Sequence, residues 1–394
     1  MSEINSSNFK KEHGDLAPDL VGVTELTSPY CFVPPSGTTA ERPEDCEPGT
    51  LRFNTDVGSL EVFRGKTIGW ESIQRRENQY LGGDSANSVI TTSTNSNRGT
   101  GTRGIFFGGY KSPDGRQNYI NYLTISSTGN TSDFGDLNDH TGRPAATSST
   151  TRAICVGGFQ SPALRDILQF VTIASIGNAT DFGDLTLARN QLGAFSNQVR
   201  GIAMGGNPET NLMDFHTIST TGNAQDFGDM TQSRQSPRGA ASTTRGLSMG
   251  GEIPSNRSNV IDFVTIMSTG NAIDFGDLTV KTRLAESCSN STRALYAGGE
   301  TQDSNALNTI AFITIATLGN AHDFGDMTSA RMEGSSTSDS TRGVFAGGNT
   351  TGPSVLQNVI DFVEISTTGN ASDFGDLHAA NSRSASTSSG HGGL

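Results

Sequence analysis

From residue 103 onward, short apolar runs alternate with polar stretches rich in Gly, Ser, Thr and Asn, and no apolar recurrence follows helical spacing. The first run of each group follows an arginine and ends in a glycine pair. "TRGIFFGG" at Arg103 is the type, and it returns at Arg152, Arg200, Arg245, Arg293 and Arg342. Apolar residues closed by Gly-Gly predict a buried strand with a sharp turn or bulge at its end. The second run is clearest in "VIDFVTI", Val260 to Ile266. Ile261 and Phe263 lie on one face, and Val260, Val264 and Ile266 on the other. A strand apolar on both faces is covered on both, as in a sheet stacked between two others. "DFGDL" predicts a third strand, and the Ser/Thr-rich stretch leading to the next "TR" predicts a fourth.

These runs belong to one unit repeated six times. The aspartates opening "DFGD" are Asp133, Asp181, Asp226, Asp274, Asp323 and Asp373, so the steps are 48, 45, 48, 49 and 50 residues. The rings that follow them are Phe134, Phe182, Phe227, Phe275, Phe324 and Phe374. An aromatic residue, Tyr122, Phe170, Phe215, Phe263, Phe312 or Phe362, stands 12 residues before each of these rings. That constancy predicts a rigid hairpin, with "T-G-N-A" as its tight turn. Four short strands per unit of this length predict an all-β fold, a β-propeller of six blades with seven possible. Gly, Ser, Thr and Asn dominate, which excludes helical repeats, and a parallel β-helix needs far shorter rungs. The last unit ends in "RSASTSSGHGGL" where the others run into the next "TR", which favours six blades with the first and last meeting. "NSVITTSTN", Asn87 to Asn95, is a candidate strand to seal the ring or to join a seventh blade. Closure matters because an open array leaves an exposed edge strand.

Six evenly spaced copies point to architecture, since a catalytic aspartate is needed once per site. The kinase use of "DFG" lacks its glycine-rich loop, paired lysine and HRD-type loop. The sialidase Asp-box, S-x-D-x-G-x-x-W, is also absent: Ala179, Ala224, Ala272, Ala321 and Ala371 stand at most of the Ser positions and no Trp follows. The recurring Phe is expected between adjacent blades, where burial is worth roughly 1.5–3 kcal/mol each. The Gly after it is expected at positive φ or where backbones pass closely. Two roles are open to the DFGD carboxylates. Each unit also carries two arginines, as with Asp274, Asp277, Arg283 and Arg293, so Asp–Arg links between strands or blades are one role. Capping of their own turns is the other. Calcium binding by the paired aspartates stays open beside these, although the spacing matches no known calcium loop with enough oxygen ligands.

A net charge of −13 argues against nucleic acid as a partner, because phosphate binding needs basic clusters. No apolar run approaches the roughly 20 residues of a membrane span. "MSEINSSNFKKEHGDL" lacks the apolar core of a secretion signal, so synthesis in a cytoplasm and use without export machinery is the expectation. Cys31, Cys46, Cys155 and Cys288 show no metal-ligand pairing. His140, His216, His322 and His378 fall at unrelated repeat positions, and no unique acid/base pair breaks the repeat, so no catalytic residue, metal or cofactor is expected.

Residues 1–33 read as an extended polar arm and 34–76 as a small β module. Residues 77–102 read as a linker holding the candidate sealing strand, and 103–394 as the propeller. In the module "LRFN" and "LEVF" flank "TDVGS" as a glycine-turn hairpin. Its expected core is Leu51, Phe53, Leu60, Val62, Phe63, Trp70 and Ile73, too small to stand alone without docking or oligomerising. The string "SGTTAERP…PGTLRFNTDVGSLEVFRGKTIGWESI" resembles a module of structural proteins of tailed phages, especially those of marine cyanobacteria. The units "TIxSTGNAxDFGDLT" resemble repeats of virion proteins of the same phages, and together the resemblance covers most of residues 34–394. It implies a tail, fibre or capsid appendage component with the hairpin module as anchor, and it carries no catalytic residues. Partners would be other virion proteins, with a homo-oligomer compatible. Variable loops after each Gly-Gly begin at Tyr110, Phe159, Asn207, Glu252, Glu300 and Asn349, and recur at one structural position. They are expected on one face, as the binding surface for a virion protein or a host surface glycan, or as merely tolerant loops. A receptor-binding fibre propeller is the alternative function, and a glycan hydrolase the third.

Overall fold

The structure, a computed structural model, describes residues 35–43, 46–56, 59–66, 69–73, 102–352 and 354–394. The chain divides into two compact units, Met1–Arg75 and Arg76–Leu394. The expected arm 1–33 and the candidate strand Asn87–Asn95 lie outside the described residues.

The second unit is all-β and propeller-like. Its described residues form six antiparallel sheets built on one four-strand plan. In the second sheet the strands follow in order: Ala145–Ser148, Arg152–Gln160, Ala163–Thr172 and Thr180–Asp184. The division into units therefore shifts by one strand from the sequence reading. The Ser/Thr-rich segment is the first strand of the sheet that follows it, paired to the next "TR" strand, as Ala153 pairs with Ser148. One consequence falls on the strand Arg103–Phe107, where the first-strand place is filled from the last repeat. Its partner there is Ala385–Ser388, in register Ala385↔Phe107 to Ser388↔Gly104. First strands of successive sheets are neighbours, and Ala385–Ser388 neighbours both Ser335–Ser338 and Ala145–Ser148.

The abundance of serine in these strands has a physical reason. A first strand has one edge without a strand partner, and unpaired backbone groups are costly when buried. Hydroxyls of the neighbouring sheet fill that role: Ser196 Oγ donates to Ser148 O (2.9 Å), Ser289 Oγ to Ala241 O (2.8 Å) and Ser338 Oγ to Ser289 O (2.7 Å). Ser148 Oγ donates to Ser388 O (2.7 Å), so the C-terminal strand joins the same series.

The fourth strands explain DFGD. In all six sheets the register slips by one residue there, as Leu168 pairs with Gly183 but Gln169 with Asp181. The Phe is the extra residue of a bulge, which turns its ring toward the next sheet. All six rings are at most 3% exposed. Phe134 packs with Ile105 and Ile120 of its own sheet and with Ala153, Cys155 and Ile173 of the next. Phe374 of the last sheet packs with Leu123 and Ile125 of the first. Each ring also meets the aromatic 12 residues before it edge to face, from 5.8 Å for Tyr122–Phe134 to 6.3 Å for Phe312–Phe324.

The N-terminal unit is a sheet of Ser36–Gly37, Leu51–Asn54, Ser59–Phe63 and Trp70–Ile73 in that order. The hairpin pairs Leu51 with Val62 and Phe53 with Leu60. Its buried face differs from the expectation. Arg52, Asn54, Glu61 and Phe63 are buried, whereas Leu51 and Phe53 are exposed and Leu60 and Val62 half-buried. Trp70, a member of the expected core, is a half-buried strand residue of the sheet, its ring 5.4 Å from Phe63 and its Nε1 donating to Pro43 O. The buried Glu61 carboxylate accepts from Arg42 and from Asn54 Nδ2 (2.9 Å), and the Arg42 hydrogen bond holds its pKa low.

Candidate functional site

The repeated motifs meet at the junctions between sheets, where the contacts are the same six times. The seven-residue loop that carries "T-G-N-A" is longer than the tight turn expected, and it reaches across to the preceding sheet. Gly177 N donates to Phe134 O (2.8 Å), Ala179 N donates to Asp136 O (2.8 Å), and Asp136 N donates to Asn178 Oδ1 (3.0 Å). The glycine of DFGD is needed here. At Gly135, φ is +147° and a Cβ would stand 2.4 Å from Gly177 O. From the last sheet to the first the same clasp forms: Gly129 N to Phe374 O (2.8 Å), Thr131 N to Asp376 O (3.0 Å) and Asp376 N to Asn130 Oδ1 (3.0 Å).

The "TR" arginines complete each junction in a way different from the expected ion pairs. Arg103, Arg152, Arg200, Arg245, Arg293 and Arg342 each lie over the aromatic of their own sheet, at 4.5 to 5.0 Å. Each then donates to a carbonyl at the start of the next sheet's loop, as Arg152 to Ser219 O (2.9 Å) and Arg342 to Ser126 O (3.0 Å). Among the described residues no ion pair reaches a DFGD carboxylate. The first aspartates, Asp133, Asp181, Asp226, Asp274, Asp323 and Asp373, are all exposed, and nothing in the structure explains their recurrence.

Buried ion pairs do form, from other residues. Arg189 pairs with Asp214 (2.6 Å), Arg331 with Asp361 (2.8 Å) and Arg234 with Asp262, all six side chains fully buried between successive sheets. Burial pushes the Arg189 guanidinium pKa down and the Asp214 carboxyl up. A threonine supports each aspartate, as Thr186 Oγ1 donates to Asp214 Oδ1 (2.6 Å). A sequence signal for these pairs exists. Where the arginine stands seven residues after the DFGD Phe, the next unit has Asp just before its aromatic; where the arginine stands eight or nine after (Arg143, Arg283, Arg383), that position is Gln169, Ala311 or Asn121.

The three displaced arginines lie at the end of the sheets where the Gly-Gly loops emerge. Arg143 and Arg383 both pair with Glu333 (2.8 and 2.7 Å), and Arg283 pairs with Glu252 (2.6 Å) and Glu300 (2.5 Å). Just before each first strand stands a residue in the left-handed region: Arg143, Gln191, Ser236, Leu284, Glu333 and Arg383, at φ between 52° and 61°. Backbone hydrogen bonds join all consecutive members except Ser236 and Leu284, including Gln191 N to Arg143 O (3.0 Å) and Arg143 N to Arg383 O (2.8 Å). Between the first strands lies a cavity of about 100 Å³. The left-handed series stands at one end and the C-terminal tail at the other, where Gly392 N donates to Ser289 O (2.8 Å) and His391 Nε2 lies 3.2 Å from Ser196 Oγ. Gly392 and Gly393 fit because side chains would not: a Cβ would sit 2.2 Å from Asn290 O on the first and 1.9 Å from Ser196 O on the second.

The six loop-opening residues do recur at one place. Each makes a two-way backbone bridge to the connector of the preceding sheet: Phe159 with Gly142, Asn207 with Asn190, Glu252 with Gln235, Glu300 with Arg283, Asn349 with Met332, and Tyr110 with Ser382. Their backbones are thus part of the scaffold, and any recognition falls to their side chains and to the residues beyond them. Phe159 and Tyr110 remain half-exposed, backed by Arg116 and Arg383 at 4.2 and 5.2 Å. Cys155 and Cys288 are buried free thiols, and among the described residues no group of three His, Cys, Asp or Glu is placed to hold a metal ion. No protein-family model and no curated protein matches the chain.

Proposed function

We propose that this chain is a non-enzymatic structural protein of a tailed-phage virion, assembled in the cytoplasm of its bacterial host. In this reading residues 34–76 anchor it to another virion protein. Residues 103–394 form a six-bladed propeller, closed by Ala385–Ser388, that serves as a displayed binding or assembly module. The resemblance of "SGTTAERP…LRFNTDVGSLEVF" and of the "GNAxDFGDL" copies supports the virion assignment. One observation carries the non-enzymatic reading: the repeated aromatics, glycines and arginines are taken up by identical clasps between neighbouring sheets. Closure is supported by the register of Ala385–Ser388 with Arg103–Phe107 and by the clasp of Gly129 on Phe374. The test is to probe purified particles with antibody against the chain and to locate the label. A label on tail, fibre or capsid appendage is expected; particles that lack the chain would overturn the assignment.

A second reading is a glycan-binding propeller on a host-contacting fibre. It draws on the half-exposed Phe159 and Tyr110, at the same position in consecutive sheets, because aromatic faces beside arginines suit sugar rings and their hydroxyls. Saturable binding on a glycan array, lost in Phe159→Ala, would favour it. Sugar release by the purified chain would overturn the non-enzymatic reading.

A further inference from the structure

The N-terminal sheet has its two faces reversed from the usual arrangement. The covered face holds Arg52, Asn54 and Glu61 with Phe63, under residues 38–43. The other face carries Leu51 and Phe53, 41% and 37% exposed, opposite Val62 and Leu60 in the ladder. An apolar sheet face left open to water is half of a sandwich, which two sheets packed about 10 Å apart would complete.

We infer that this apolar face packs against the same face of a second copy of the chain. Two features favour a second copy over a different protein. The four central side chains are uncharged, so nothing there calls for a partner of opposite charge. The charged residues on the same alternation are Arg64 and Glu71, opposite in sign, 3.0 Å apart and each 56% exposed. A two-fold axis can bring Arg64 of one copy to Glu71 of the other, so the face is self-complementary. Its extent sets the strength. Three strands of four residues span roughly 13 by 15 Å, well short of the roughly 1,200–2,000 Å² total area of a stable free interface. The pairing is therefore weak for free chains and effective where many copies are held close together.

The inference extends the anchoring reading of residues 34–76 by adding a partner, and its test needs no other virion protein. Sedimentation of the full chain over rising concentration is expected to show a reversible dimer in the micromolar to millimolar range. Phe53→Glu is expected to weaken it at least tenfold. Arg64→Glu should weaken it several-fold, and Arg64→Glu with Glu71→Arg should restore it. Trp70 fluorescence serves as the folding control, because its ring lies against Phe63. If Phe53→Glu fails that control, the Arg64 and Glu71 pair of variants decides. A chain monomeric throughout, or association untouched by these changes, overturns the inference. A monomeric chain that still copurifies with particle proteins overturns it and leaves the anchoring reading standing.

Discussion

Replacing Asp214 by Ala separates two ideas about the sheet junctions. Asp214 and Arg189 are fully buried, 2.6 Å apart, with Arg189 Nη1 also donating to Leu212 O (3.0 Å). Burial moves both pKa values toward the neutral forms, so desolvation outweighs their mutual attraction. Asp214→Ala leaves a guanidinium in the interior without its counter-charge, which costs about 3–5 kcal/mol. Asp214→Ala with Arg189→Met removes both charges and leaves the Thr186 hydroxyl and backbone N–H short of a partner, at about 1 kcal/mol each, while Gly205 N still donates to Leu212 O (3.0 Å). The double variant is therefore expected within about 2 kcal/mol of the parent, more stable than the single one. The junction holding Ala311 does without the pair naturally, and there buried Tyr296 packs in the same cluster, its hydroxyl bonded to Thr282. Urea unfolding followed by far-UV circular dichroism is the suitable assay, because Trp70, the single Trp, belongs to the other unit. A double variant as damaged as Asp214→Ala would refute the reasoning, and the pair would then be a net source of stability.

Two further outcomes are expected. His216 is buried against Thr147 and Phe182, and burial lowers its pKa to about 4 from the ordinary 6.5. The unfolded chain therefore binds the proton first, so this contribution is full above pH 6.5 and is lost as pH falls through 4, by about 3 kcal/mol. His216→Val, the residue type at the matching Val171, Val264 and Val363, should flatten that part of the pH profile; an unchanged difference from the parent between pH 7 and pH 4 would count against it. Gly276→Ala and Gly375→Ala should lower the melting temperature equally, since a Cβ would meet Gly319 O at 2.4 Å in one case and Gly129 O at 2.6 Å in the other. A Gly375 variant much milder than its Gly276 counterpart would mean that the last clasp is not formed.

The repeat, the all-β class and the buried recurring Phe were legible because period, spacing and apolar alternation are properties of one copy. What could not be read was which copy meets which. "GNA" and "FGD" are neighbours in sequence, yet each grips its counterpart in the adjoining sheet, and six equivalent copies hide that exchange. The Ser/Thr-rich strand was placed in the wrong sheet for the same reason, since a strand between two units fits either. The Arg189, Arg234 and Arg331 pairs had a trace in the spacing after Phe, visible only when departures from the repeat are compared between consecutive units. In the N-terminal module the alternation of Leu51, Phe53, Leu60 and Val62 was correct, but the hydrogen-bonded network of Arg52, Asn54 and Glu61 takes the covered face.

The most direct test concerns the meeting of the first and last sheets. Spin labels at Thr128 and Ser372, both exposed, flank the Gly129–Phe374 clasp, and labels at Thr368 and His322 flank the equivalent internal clasp of Gly369 on Phe324. Pulsed electron–electron distance measurement, with Cys31 and Cys46 replaced by Ser, is expected to give the same short, narrow distribution for both pairs. A long or broad distribution for Thr128–Ser372 beside a short one for Thr368–His322 would mean an open array and contradict the account.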